Sequence, residues 1–446
     1  MTFSNLNNSG SFTTFKSAWY AGVLFLATLF FANENYYLLL PISIFILEFK
    51  TISSYFRLIK NSKRLRNSLL LISAFVVLAY LNKIVNGNPI TSLRDYYGAF
   101  LLFPILLLFS KLISSTKTYT FLIYLIVFET IIAITEYVFN VRTFFPIEVP
   151  PINSKSVFLY DHRVYGMSIN SSVLSFKILV AILVVETAPL KKIYYFLIQF
   201  LLCLGIIVTF NRALILTALL FWVLLALYRL YKSSKISIYS FYTFFPLITF
   251  FILFSFLSKN NFLVEMNKNS AEKKPLEIAS KIKLFTFSDI PETALTRPHP
   301  MMLEGNDLDT TLYYTKKLIG STNGINTSGR TLIWANFFQF IEQNLWFGNG
   351  SDKLFFKEID HENKKIKLVH AHNSYLEFLA THGLILSGFF GIILLYLWRR
   401  KNIIFIVSIL FFSIFQYGIF WGFSLLDLVF VTFLISPLNL LTDENQ

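Results

Sequence analysis

The chain alternates between long apolar blocks and short polar segments. Twelve blocks can be drawn, at roughly 17–33, 36–56, 67–86, 96–115, 118–140, 166–187, 190–209, 212–231, 238–258, 374–397, 402–420 and 422–440. Most reach the roughly 20 residues a helix needs to cross about 30 Å of hydrocarbon. They are continuous rather than alternating, unlike the strands of an outer-membrane barrel. The pattern predicts an all-α, polytopic membrane protein of about 12 transmembrane helices. One long polar loop, 259–373, divides it into nine spans over 1–258 and three spans with a short tail over 374–446.

A loop of that length carries function or is disordered. Its first part, around Glu265–Lys283, is rich in Lys, Glu and Ser. Its second part is patterned. Ser328 can cap a helix, and Arg330 to Phe347 carries apolar residues at Ile333, Phe337, Phe340 and at Trp334, Phe338, Ile341, Leu345. That spacing predicts a helix with a wide apolar face, resting on the outer membrane surface or on the tops of the spans. Gly348 and Gly350 end it.

Composition agrees. Of 446 residues, 55% are hydrophobic and 14% charged, too little charge for the surface of a soluble domain. The net charge of +14 could suit nucleic acid, but its placement points to the bilayer. With the N-terminus inside, seventeen Lys and Arg fall in cytoplasmic segments and six in the short outer loops. This asymmetry predicts both termini in the cytoplasm and 259–373 outside. The first 15 residues are polar, uncharged and not followed by a cleavage site, so no removable signal peptide is expected. The single cysteine, Cys203, lies within an apolar block and offers neither a disulfide framework nor a thiolate zinc site.

All six histidines, at 162, 299, 361, 370, 372 and 382, fall on or near the outer side. The densest segment is Val369-His370-Ala371-His372-Asn373-Ser374-Tyr375-Leu376-Glu377. Asn373 or Ser374 can cap the tenth span, and Ser374 to Glu377 has the spacing of a capping box. The helix dipole disfavours imidazolium at His372 and favours an anion beside it. A neutral base next to an anion site suits group transfer from a phosphate leaving group. Two plain surface histidines at a helix start are an equal alternative on local sequence. A metal held by His370 and His372 with Glu358, Asp360 or His361 is weaker, because no acidic cluster or cysteine accompanies the pair.

Arginines form a second constellation. Arg212 follows Thr209-Phe210-Asn211 in the tight outer turn between the seventh and eighth blocks, Arg330 opens the loop helix, and Arg163 and Arg94 sit at outer ends of spans. Guanidinium forks onto phosphate oxygens, so convergent arginines suit a diphosphate. The bland reading is snorkelling to the interface, favoured for Arg94 and weaker for Arg212. Glu48, Glu129, Glu136, Lys177, Glu186 and Asp427 lie within apolar blocks. Charges there are candidates for function. They form no ordered relay, which leaves a proton-coupled transporter as the lesser alternative.

These residues resemble the O-antigen ligase and polymerase superfamily. His372-Asn373, nine residues, then Gly383 is similar to its His-Asn motif, with Leu386 departing from the Gly, Thr or Tyr expected three places later. Ser328-Gly329-Arg330 through Trp334 to Gly348-x-Gly350 resembles its Ser-Gly-Arg stretch, and Asn211-Arg212-Ala213 its Ser-Arg-Gly/Ala turn with Asn for Ser. Arg163-x-x-Gly166-x-x-x-Asn170 resembles a looser element. Together they cover roughly residues 90–395. The resemblance implies a metal-independent, cofactor-free, inverting glycosyltransferase in the bacterial inner membrane, with its site facing the periplasm. His372 would be the catalytic base, Arg212, Arg330 and Arg163 would bind the diphosphate, and His370 and Asn373 would support. The implied donor is an undecaprenyl-diphosphate-linked glycan. The acceptor would be a lipid A–core oligosaccharide for a ligase, favoured by the His-Asn motif and the Arg330 helix, or a second glycan for a polymerase.

Overall fold

A computed structural model describes residues 10–29, 63–86, 116–138, 171–209, 211–232, 238–259, 357–361, 364–368, 373–397 and 403–416, with shorter stretches within 42–61, 164–168, 334–350, at 371 and at 429–430. The helices are α1 (Gly10–Leu29), α2 (Lys63–Val85), α3 (Thr116–Val138), α4 (Ser171–Val185), α5 (Lys192–Thr209), α6 (Arg212–Lys232), α7 (Ile238–Lys259), α8 (Ser374–Leu397) and α9 (Ile403–Phe415). Each coincides with one of the predicted apolar blocks. The blocks at 96–115 and, but for 429–430, at 422–440 lie outside the described residues, as does most of 36–56. Among the described helices, five are long and apolar enough to cross a membrane: α2, α3, α5, α6 and α8.

The loop adds one element to this helical architecture, an antiparallel hairpin of β1 (Lys357–His361) and β2 (Lys364–Leu368). Its backbone register sets Glu358 opposite Lys367 and Asp360 opposite Lys365.

α4 is the buried centre of the bundle. Leu174 and every residue from Lys177 to Val184 are inaccessible, and α1, α3, α5 and α6 pack around it. A helix apolar on all sides needs such surroundings. The sequence predicts a span from 166, but the helix starts only at Ser171. The reason is local: Gly166 has φ 58°, and residues 166–168 form a turn tied to α3 instead. α3 packs against α1, α4 and α5, α6 against α7 and α9, and α8 against α2 and α9.

Connectivity gathers several ends together. Only Phe210 and Asn211 separate α5 from α6, and the turn before α4 is bonded to the last turns of α3. α9 runs along α6, with Phe405 against Phe221. The residue after α9, Gln416, accepts a hydrogen bond from Ser374 Oγ at 2.9 Å. The start of α4, the α5–α6 turn and the start of α8 therefore share one end of the bundle. The charge asymmetry predicts which side this end faces. Reporter fusions after residues 235 and 401 should read cytoplasmic, and fusions near 300 and 360 periplasmic. A cytoplasmic signal from the loop would overturn the orientation.

Candidate functional site

The start of α8 is capped by Asn373. Its Oδ1 accepts from the backbone N–H groups of Tyr375 at 2.9 Å and Leu376 at 3.1 Å, satisfying donors that a first helical turn leaves unpaired. The capping box expected from Ser374 and Glu377 does not form. Ser374 is the first helical residue and is spent on Gln416. Glu377, one turn further in and buried, reaches back past the cap to the N–H of Ala371 at 2.7 Å.

Ala371 is held from its other side as well. Its carbonyl accepts from Trp334 Nε1 at 2.9 Å. Phe337 and Ile341 are buried against Ala371, Leu376 and Ala380, with Trp334 and Leu379 alongside. Burying such side chains contributes roughly 1.5–3 kcal/mol each, which docks the loop helix onto the top of a span. The apolar face is narrower than its sequence suggests, because Phe338 and Leu345 stay exposed. Ile333 and Phe340 lie outside the described residues. The helical residues end at 343, and a turn follows over 344–347.

That turn enters a break in α8. At Gly383 the backbone adopts φ 67°, ψ −177°, so Leu384 and Ile385 cannot donate to Ala380 and Thr381 as an unbroken helix would require. The loop replaces all four partners. Leu384 N donates to Leu345 O at 2.8 Å and Ile385 N to Trp346 O at 3.2 Å, while Asn349 N donates to Ala380 O and Gly350 N to Thr381 O, both at 2.9 Å. Asn349 Nδ2 adds a second bond to Ala380 O at 2.9 Å. Asn82 at the end of α2 donates to the Phe347 carbonyl at 2.6 Å. Unpaired backbone groups at membrane depth are expensive, so a helix can break there only where protein resupplies them. The spacing from His-Asn to Gly383 and the Gly348-x-Gly350 pair are thus two halves of one joint.

The second helix start belongs to α6. Asn211 Oδ1 accepts from Ala213 N at 3.1 Å and Leu214 N at 3.3 Å. Asn is as good an N-cap as the Ser it replaces in the motif, so that departure keeps its physical role. The buried Asn211 Nδ2 has no hydrogen-bond partner among the described residues. Arg212, the first helical residue, is exposed. A helix N-terminus, a spare amide donor and a guanidinium together favour an anion.

Of the residues predicted for the site, Arg212 and Asn373 are described and stand at the same end of the bundle. His372, His370, Arg330 and Arg163 lie outside the described residues, although Ala371, Asn373 and Val164 next to them are placed. Sequence reasoning missed the backbone grip of Glu377 and Trp334, and the roles of Asn82 and Asn349. The signal for Glu377 was present in its spacing from the cap, but assigned to the wrong partner. Among the described residues no group of three or more His, Cys, Asp or Glu is placed to hold a metal. Cys203 is buried, its Sγ 3.5 Å from the Pro246 carbonyl.

A helical membrane protein with donor groups gathered at one end of its bundle is the class that fold and site define. Residues 197–392, from within α5 to within α8, match the family model described as O-antigen ligase. The match contains the Asn211-Arg212 turn, the loop helix, the Gly383 joint and the α8 start, and it supports the O-antigen ligase superfamily. No curated protein matches the chain.

Proposed function

We propose that this protein is an O-antigen ligase, transferring a polysaccharide from undecaprenyl diphosphate to a lipid A–core oligosaccharide at the periplasmic face of the inner membrane. His372 takes the proton of the acceptor hydroxyl. The acceptor oxygen forms a bond to the anomeric carbon as the bond from that carbon to the diphosphate breaks, with inversion. Arg212, Arg330 and Arg163 hold the diphosphate and offset the charge that develops on the leaving undecaprenyl diphosphate. No metal takes part, and His370 and Asn373 support the base.

One observation carries this reading. The segment flanking position 372 is held at Ala371 by Glu377 and Trp334 and at Asn373 by the α8 cap, at the end of the bundle where Arg212 opens α6. Pre-set geometry of this kind is what a general base needs. Three of the carboxylates within the apolar blocks are held in ion pairs, which favours an enzyme over a proton relay. Glu48 is bonded to Lys16, Glu129 to Lys177 and Glu186 to Arg229, so each is taken by a nearby cation.

A polymerase would use the same parts with a different acceptor, and a deletion strain separates the two. Lipid A–core without O-chain, alongside accumulated polymerised lipid-linked chains, is the expected ligase result. Core bearing a single repeat would establish polymerase instead. The arginines are tested by Arg212→Lys and Arg330→Lys, which keep the charge and lose the fork. Each should lower transfer strongly, while Arg94→Lys stays near wild type. Near-normal transfer by the first two would remove the proposed diphosphate site.

A further inference from the structure

The turn before α4 is held by an arrangement of charge that the reaction above does not use. Glu129 and Glu136 lie seven residues apart on one face of α3, and the turn docks between them. Gly166 N donates to Glu136 Oε2 at 2.9 Å. Ser168 Oγ donates to Glu129 Oε1. Lys177 Nζ, from α4, donates to Glu129 Oε2 at 2.8 Å and to Ser168 Oγ at 2.9 Å, and sits 4.6 Å from the ring centre of Phe25 on α1. The side chains of Lys177 and Glu129 are wholly inaccessible. Gly166 is required here: a Cβ would lie 3.1 Å from Glu129 Cγ, in a left-handed conformation.

Stability alone does not call for this arrangement. An apolar pair of the same volume serves a buried helix contact as well or better, because desolvating two charges offsets their attraction. What an apolar pair lacks is oxygen acceptors for a polar turn inside a bundle, whose N–H and O–H would otherwise be unpaired. Arg163 immediately precedes Val164, a buried residue just before this turn. We propose that Glu129, Lys177 and Glu136 are positioning residues that fix this turn, which follows Arg163 in sequence, for binding of the donor diphosphate. The inference rests on the donor reading above and deepens it, explaining why intramembrane charges accompany the Arg163-x-x-Gly166 element.

The test is equilibrium binding of undecaprenyl diphosphate to the full chain in nanodiscs, with thermal unfolding measured on each variant. Glu136→Leu removes one acceptor, and Glu129→Leu with Lys177→Met removes the other along with both charges. Each should weaken binding about tenfold, equivalent to one charge-assisted hydrogen bond. The double variant should unfold somewhat below the wild-type temperature, because the buried Ser168 hydroxyl loses its acceptor. It should still unfold well above a lone Glu129→Leu, which leaves Lys177 buried and unpaired. Glu136→Gln keeps an acceptor oxygen and should bind like wild type, which a general packing defect would not explain. If Arg163→Ala weakens binding and both buried variants bind normally, positioning is refuted and the donor site stands. If Arg163→Ala binds normally, or wild type does not bind the lipid at all, the donor role of Arg163 fails and the positioning inference with it.

Discussion

Transfer by the purified His372→Ala protein should fall by about 10²–10⁴-fold, the usual worth of general-base assistance. Donor affinity should be unchanged, because the diphosphate is assigned to arginines. The prediction rests on Ala371 being gripped at both its N–H and its carbonyl, and on Asn373 beginning the helix. His370 precedes the gripped residue, so His370→Ala should affect fit more than chemistry and lower the rate far less. Glu377→Gln is an informative companion, since the amide oxygen can still accept from Ala371 and most activity should survive. Dead His370→Ala beside active His372→Ala would mean that the base is the other histidine. If both remain active, the site lies elsewhere.

Gly383→Ala should abolish the joint between loop and α8 and unfold the protein at a much lower temperature. An added Cβ would collide with the Trp346 carbonyl and lie 2.5 Å from the Gly348 nitrogen, both of them backbone atoms. It would also be held at a φ that L-residues avoid. Strain and overpacking of this kind cost about 2–5 kcal/mol together. Gly388 lies in the same helix, and nothing comes within 4 Å of a Cβ there. Gly388→Ala should therefore be neutral to within about 0.5 kcal/mol or slightly stabilising. Equal unfolding temperatures for the two variants would contradict the break at Gly383. Equal loss of activity with normal folding would instead point to a role in chemistry.

The helix caps show how far local pattern reaches. Asn373 caps as its position before an apolar run suggests, and Asn211, read from sequence only as part of a turn, caps in the same way, because a cap bonds residues two or three places along. The same rule failed for Ser374 and Glu377, where the spacing was right and the partner wrong. Local spacing shows how far Glu377 can reach, but not which backbone group lies within that reach. The loop helix failed in degree: its sequence has two apolar stripes, and only the surface it meets decided that Phe337 and Ile341 are buried and Phe338 is not.

By itself the sequence determined the helical membrane architecture and the motif residues. Apolar length is an absolute, local quantity set by the thickness of hydrocarbon, and the blocks it marked coincide with the described helices. Three things were decided only by tertiary structure. The scattered charges Glu129, Lys177 and Glu136 became one arrangement around a turn, with Lys177 and Glu129 48 positions apart in sequence. α4 was shortened to leave that turn free. The tenth block, continuous in hydropathy, was broken at Gly383. Hydropathy counts side chains, whereas the break is an exchange of main-chain partners between α8 and a distant loop, which leaves no trace in apolar length.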